Sequence, residues 1–263
     1  MKKIKIVFSV CLLFCFFAVT TNGQLSAKEI MQKTRDISKI PGLETVSTLK
    51  ILDPKGRERI REISMASKLT DNGKTEKRVI RFLAPAEVKG TGMLIYDYDA
   101  QSDDMWIFMP ALRKTRRIVS GEKNQSFMGS EFSNADLAAP NTDDFSYKIT
   151  GSEMVDEIEC WKIESFPLND EISNETGLSK KMIWIGKKDN VCRKTEFYDP
   201  DGELSKILTC SDIRKITEGK YMAASMEMEN VQNGRKSVII MGQLQYNPNV
   251  KEEYFTVAYL EKL

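Results

Sequence analysis

The sequence predicts a mainly β protein: one leading helix, then a single antiparallel sheet large enough to curl. Three observations predict it. Past residue 43 the chain falls into short segments rich in Val, Ile, Thr, Tyr, Phe and Trp, separated by Gly, Pro, Asn and Asp. No Pro-rich or Ser-rich linker and no long charge run interrupts them, so they read as one continuous sheet. Several central segments, such as Met93-Leu94-Ile95-Tyr96 and Met105-Trp106-Ile107-Phe108-Met109, are apolar at both parities. Each face of such strands needs an apolar cover, whether helices, a ligand or a partner.

Taken in order, the chain opens with a cationic start, Met1-Lys2-Lys3-Ile4-Lys5, followed by an apolar run over 6–19 and the small, polar Thr20-Thr21-Asn22-Gly23. That order is a signal peptide, and the run falls short of the roughly 18–20 residues a membrane-spanning helix needs. Cleavage after Gly23 divides the chain into a leader, 1–23, and one domain, 24–263, that works outside the cytoplasm. Cys15 follows Leu12-Leu13-Phe14, where a lipidated cysteine needs a small residue before it. The mature protein is therefore expected to be unlipidated and soluble.

Ser26 and Glu29 form a capping-box pair, and Ile30, Met31, Thr34 and Ile37 recur at helical spacing until Pro41-Gly42 stops them. Strands follow at 44–52, 57–66, 77–82, 93–98, 105–109, 114–119, 145–150, 158–166, 179–185, 192–198, 204–211, 221–230 and 236–245. A sheet of that size has to curl. Asp53-Pro54-Lys55-Gly56 and Asp199-Pro200-Asp201-Gly202 are the clearest hairpin turns. Between the strands, 124–129 reads as loop and 131–137 as a short helix ended by Ala138-Ala139-Pro140. Residues 251–263 read as a closing strand or a short helix.

The chain has no histidine. This removes Ser-His and Cys-His nucleophile pairs, the zinc-protease helix motif and every His-based metal site. Nor is there a Gly-rich phosphate loop or a Cys-x-x-Cys pair. The acidic pairs Asp103-Asp104 and Asp143-Asp144 sit among turn residues and read as solvated carboxylates. We therefore expect no enzyme, no cofactor and no metal. With 39 Lys plus Arg against 38 Asp plus Glu, nothing calls for nucleic acid. The stretch Arg113, Lys114, Arg116, Arg117 reads as a solvated strand end.

Cys160, Cys192 and Cys210 remain after processing. If Gly202 takes the left-handed position of a three-residue hairpin loop, Cys192 and Cys210 face each other across the hairpin. A disulfide between them and two buried thiols both fit that placement. Methionine is abundant, at 13 residues, and Met93, Met105, Met109, Met128, Met182, Met222, Met226, Met228 and Met241 fall in or beside apolar segments. Flexible thioethers suit a surface that adapts to variable apolar cargo, and they equally suit ordinary core filling.

Three blocks in order carry a resemblance: Gly90-Thr91-Gly92-Met93-Leu94, the run from Asp104 through Pro110-Ala111-Leu112 to Ile118, and the run from Phe127-Met128-Gly129 to Leu137. They resemble the outer membrane lipoprotein-sorting protein family, a LolA-like group of exported bacterial proteins, over nearly the whole mature chain. The resemblance implies an unclosed, strongly curved β-barrel whose concave side is covered by short helices and encloses a hydrophobic cavity for acyl chains. On this basis the cavity candidates are Met93, Ile95, Trp106, Phe108, Phe127, Met128, Phe132, Trp161 and Trp184. The implied role is a periplasmic carrier moving the acyl chains of lipoproteins or lipids between envelope membranes, loaded by an inner-membrane transporter or exporter. The alternative is a non-carrier accessory protein that docks onto a resistance-nodulation-type membrane exporter or an envelope complex through exposed apolar strands and the stretch from Arg113 to Arg117.

Overall fold

A computed structural model describes residues 25–262; the leader predicted at 1–23, with Cys15, lies outside them. Helix α1 (Ala27–Ser38) begins at the expected cap. Ser26 Oγ accepts from Glu29 N at 3.3 Å, and the Glu29 carboxylate accepts from Ser26 N at 2.7 Å. Two amides that a helix start leaves unpaired are thus satisfied.

The predicted strands all form. They are β1 (Gly42–Leu52), β2 (Glu58–Thr70), β3 (Thr75–Ala84), β4 (Gly92–Tyr98), β5 (Asp104–Met109), β6 (Lys114–Ile118), β7 (Phe145–Val155), β8 (Ile158–Pro167), β9 (Lys180–Gly186), β10 (Cys192–Tyr198), β11 (Leu204–Thr217), β12 (Lys220–Asn230) and β13 (Arg235–Tyr246). They make one antiparallel sheet in the order β6-β5-β4-β3-β2-β1-β13-β12-β11-β10-β9-β8-β7. Each half of the chain is a meander, and β1 pairs with β13 where the halves meet. The sheet does not close: β6 and β7 are its two edges, and residues 119–144 carry the chain from one edge to the other.

Side-chain alternation explains the strands that are apolar on both faces. On one face Met93 and Ile95 of β4 and Met105 of β5 join Leu49, Ile51, Ile80, Phe82, Phe197, Ala224, Met228, Ile239 and Met241 in one buried cluster. Strands as far apart in the sheet as β6 and β10 contribute to it, so this is the concave side of a curled sheet. On the other face Leu94 and Phe108, with Trp106 and Tyr96 beside them, pack under the C-terminal segment through Val250, Phe255 and Leu260. A third cluster seats Ala27 and Ile30 of α1 on Ile163, Ile183 and Ile185 of β8 and β9.

Two short elements differ from expectation, and at the C-terminus the short helix, one of the two expected alternatives, forms. The helix predicted at 131–137 is only a single 3-10 turn, Ala135–Leu137. Ser133 and Asp136 bond each other's backbone amides at 2.7 and 3.2 Å, which competes with helix continuation before that turn. The C-terminal stretch is a 3-10 turn, Glu252–Phe255, and one helical turn, α3 (Val257–Leu260), capped by Thr256 Oγ1 accepting from Tyr259 N. Helix α2 (Asp170–Thr176) was not expected; Asn169 caps it and Gly177 ends it at φ +70°. It is too short to show an apolar period.

Candidate functional site

The concave side of the sheet is the candidate site. Its wall comes from alternate residues of eight or more strands, and its methionines are concentrated there. Met93, Met105, Met228 and Met241 are buried in the cluster, and Met65, Met128, Met222, Met226 pack against it half-buried. On β12 the spacing of Met222, Met226 and Met228 keeps all three on the same face as Ala224.

The space inside the curl is taken by residues 119–144. Phe127 and Phe132, both buried, enter the cluster from this segment, and the Phe127 ring lies 5.6 Å from that of Phe82. Apart from one isolated bridge between Ser126 and Ser133 the segment contains short 3-10 turns, and Met128 and Gly129 take left-handed backbone angles (φ +51° and +77°). Charged side chains on the wall hold it by its backbone. Arg61 donates to Met128 O and Arg78 to Leu137 O. Arg235 donates to Gly129 O at 2.8 Å and Lys206 to Glu131 O at 2.7 Å. Glu131 also pairs with Arg235 at 3.0 Å, and its amide donates to the buried Ser237 hydroxyl at 2.9 Å.

At the other end of the segment, Arg35 of α1 ties three pieces together. It donates to Asp97 Oδ1 at 2.6 Å, Ala139 O at 2.6 Å and Pro140 O at 2.9 Å. Asp99 pairs with both Arg35 and Lys39. Close by, Lys123 bridges to Glu175 of α2 at 2.6 Å. Burial, reinforced by the charge of Asp97, pushes the Asp103 carboxyl up to about 7.

Where β1, β2 and β13 end, the concave face opens on a partly enclosed hollow of 500 Å³ lined by Ile51, Asp53, Arg57, Arg59 and Arg235. This is within the usual range for small-molecule sites. A shallower groove of 340 Å³ lies over β1, β2, β3 and β13 beside Tyr254 and Tyr259 of the C-terminal segment, with Glu44, Arg81, Gln243 and Gln245 among its walls.

Of the nine cavity candidates, the structure brings five together on the concave side: Met93, Ile95, Phe127, Met128 and Phe132. Trp106 and Phe108 lie on the opposite face, under the C-terminal segment. Trp161 sits beside α1. Trp184 points away from α1, where Lys162 and Lys194 stand over its ring and its Nε1 donates to Glu153 at 2.8 Å. Parity separates Trp106, Phe108 and Trp184, which are one position out of step with the aliphatic residues that face inward, whereas Trp161 is in step with Ile163 and opposite Ile185 and is set apart by lying under α1. The wall methionines of β12 and the arginines of the hollow were missed. Alternation along β12 offered a signal for the former; nothing distinguished the latter from surface charge.

Cys192 and Cys210 are neighbours, as the hairpin suggested, and are free thiols, as is Cys160. Gly202 takes φ +83°, and a bulge in β10 next to Cys192 sets its side chain toward Cys210. The hydrogen bond between the thiols holds Cys192 below the ordinary thiol range and pushes Cys210 well above it. Among the described residues no three His, Cys, Asp or Glu side chains are grouped to hold a metal ion. No described helix is long and apolar enough to cross a membrane.

A protein-family model whose description reads "Uncharacterized protein" matches residues 74–262. Among solved structures, the chain is similar to a domain assigned to outer membrane lipoprotein sorting from Vibrio parahaemolyticus, at 24% identity and TM-score 0.83, covering 90% of this chain and 98% of that one. It is similar to a DUF1329 family protein from Desulfovibrio piger at 29% identity and TM-score 0.82, covering 89% and 97%. It is also similar to a LolA superfamily protein from Nitrosomonas europaea, at 20% identity and TM-score 0.69, covering 90% and 100%. No curated protein matches the chain.

Proposed function

Because the chain belongs to the LolA-like family of outer membrane lipoprotein-sorting proteins, we propose that it is a soluble periplasmic carrier that takes up acyl chains of lipids or lipoproteins on the concave side of its sheet. One observation carries this reading: the concave apolar wall is filled by the irregular segment 119–144, which is bonded to it chiefly through backbone carbonyls. Segments without a strand ladder open at lower free energy than the sheet they rest on. An acyl chain entering as Phe127 and Phe132 leave would replace one apolar filling by another.

The magnitudes favour the exchange. A sixteen-carbon chain gains roughly 12 kcal/mol on burial at about 0.8 kcal/mol per methylene. Re-exposing two phenylalanines subtracts about 2 kcal/mol each. Roughly 8 kcal/mol is left to offset the loss of motional freedom on binding. No nucleophile or acid–base pair is needed for such a task, and an inner-membrane transporter or exporter would supply the cargo.

A titration with a fluorescent fatty-acyl probe tests it, together with native mass spectrometry of protein taken from its own envelope. We expect saturable binding and co-purified lipid. The Met226→Lys variant places a charge on a half-buried wall position and should weaken probe binding at least tenfold while the protein stays folded. If the native protein shows neither probe binding nor co-purified lipid, the carrier reading fails.

A further inference from the structure

The hollow at the end of β1, β2 and β13 has an apolar floor and a cationic rim. Ile51, buried in the concave cluster, is the floor. In the β1–β2 ladder Ile51 stands directly opposite Arg59 and Leu49 opposite Arg61, and paired residues share a face, so both arginines lie on the concave side. Ser237 is the partner of Ile51 on β13, which puts Arg235, two residues along, on that same side.

These cations are not equally engaged. Arg57 is paired with Asp53 at 2.5 Å, and Arg235 with Glu131. Arg61 is occupied by Met128 O, and the loss of hydration on burial, with the charge of its neighbour Arg59, lowers its hold on its proton. Arg59 is exposed and has no hydrogen-bond or ion-pair partner among the described residues. Three guanidinium groups thus line a hollow that contains one carboxylate, Asp53. When residues 119–144 move, Arg61, Arg235 and Lys206 also lose the carbonyls they now donate to. Buried or half-buried donors left without acceptors are unfavourable, and an anionic group arriving with the cargo would satisfy them.

The geometry points to an acidic amphiphile as the cargo class: a lipid whose phosphate-bearing headgroup is bound by Arg59, with Arg57 and Arg235 beside it, while its tail runs past Ile51 onto the concave face. This rests on the carrier reading and adds the headgroup to it. Guanidinium groups suit phosphate because their planar fork makes two parallel hydrogen bonds to it.

Calorimetric titration with three probes tests the inference: 1-palmitoyl-lysophosphatidylglycerol, the uncharged 1-palmitoylglycerol with the same tail and no phosphate, and glycerol 3-phosphate without a tail. The acidic lysolipid should bind about tenfold tighter than the uncharged one, the yield of one charge-assisted contact. The Arg59→Gln variant should lose that preference and keep its affinity for 1-palmitoylglycerol, which also shows that it is folded. Equal affinity of the native protein for the two palmitoyl lipids would overturn the headgroup assignment and leave the carrier reading standing. Glycerol 3-phosphate binding as tightly as the acidic lysolipid would also overturn it, by revealing a plain anion site. Failure of both palmitoyl lipids to bind would remove the carrier reading and this inference together.

Discussion

Replacing Arg35 by Met should destabilise the fold by about 3 kcal/mol, because its guanidinium joins α1, β4 and the end of the 119–144 segment. Arg35 and Asp97 are both buried, at 7% and 3% exposure, and 2.6 Å apart. Removing Arg35 leaves the Asp97 carboxylate with a single strong bond, from Ala139 N at 2.8 Å, and strips Ala139 O and Pro140 O of their donor. Breaking a buried pair from one side costs about 3–5 kcal/mol. The lower figure applies here because Asp99 and Lys39 keep the region polar. Urea denaturation should show the loss as a lower midpoint at unchanged slope, and for a domain of this size the melting temperature should fall by roughly 6–12 °C. The double variant Arg35→Met with Asp97→Asn should recover at least 1 kcal/mol relative to the sum of the single changes, since no uncompensated charge is left. A single variant that loses under 1 kcal/mol, or a cycle that is additive, would show that the latch does not carry the load assigned to it.

The other predictions follow the same clusters. Asp103, raised by burial and Asp97 to about 7 in the folded chain from an ordinary 3.8, keeps a proton that the unfolded chain has released. Stability should therefore fall as pH rises from about 4 to about 7, by up to about 1.4 kcal/mol per unit, and level off above; Asp103→Asn should flatten that slope in urea titrations at stepped pH. Leu260, through which the C-terminal segment is seated on Leu94 and Phe108 and which is fully buried there, should cost about 2–4 kcal/mol when cut to Ala. Gly92→Ala, whose new Cβ would stand 2.6 Å from Leu260 Cδ1, should be destabilising alone and milder in the Leu260→Ala background, as thermal melts of the cycle would reveal. Denaturing Ellman titration of the protein cleaved after Gly23 should count three thiols, Cys160, Cys192 and Cys210 all being free; a count of one would refute this by showing that the neighbouring pair has bonded.

How legible the molecule was depends on the length scale of each signal. Strands announced themselves because β-branched and aromatic runs end at chain-reversing chemistry, as at Asp199-Pro200-Asp201-Gly202, where Asp199 Oδ1 accepts from the amides of Asp201 and Glu203. The start of α1 was equally local, a two-residue exchange between Ser26 and Glu29. Facing was harder. Met93 and Trp106 both sit in apolar runs, and only the ladder, which sets Trp106 opposite Leu94, shows that they look in opposite directions. The 119–144 segment was least legible. Its shape is dictated by distant donors, Arg61, Arg78, Lys206 and Arg235, which bond main-chain carbonyls that every sequence possesses. The arginine rim was hidden for a related reason: a charged residue in a strand reads as outward until the register turns it inward.

The edges of the sheet connect these features. An open sheet presents two strands with unpaired backbone groups, and each is a template for pairing with another chain. Here β6 carries Lys114, Arg116 and Arg117, all exposed, so the basic stretch that stood out in the sequence is an edge strand. Arg117 is paired with Asp104 and Arg116 with Glu122 at 2.6 Å, so much of that charge is neutralised locally and little is free to recruit a partner. The other edge, β7, is long but carries Lys148 and Glu153 and is bent by a bulge between Ile149 and Gly151. Closing the barrel by pairing β6 with β7 would remove both hazards, and it would also make the interior a fixed volume. Leaving the edges apart and charged, and bridging them with 119–144, guards the strands against pairing with other chains while the filling of the curl remains an irregular segment, as the proposed exchange for an acyl chain requires. The same choice of an open sheet thus accounts for the charged edges, the irregular bridge and the methionine-lined wall.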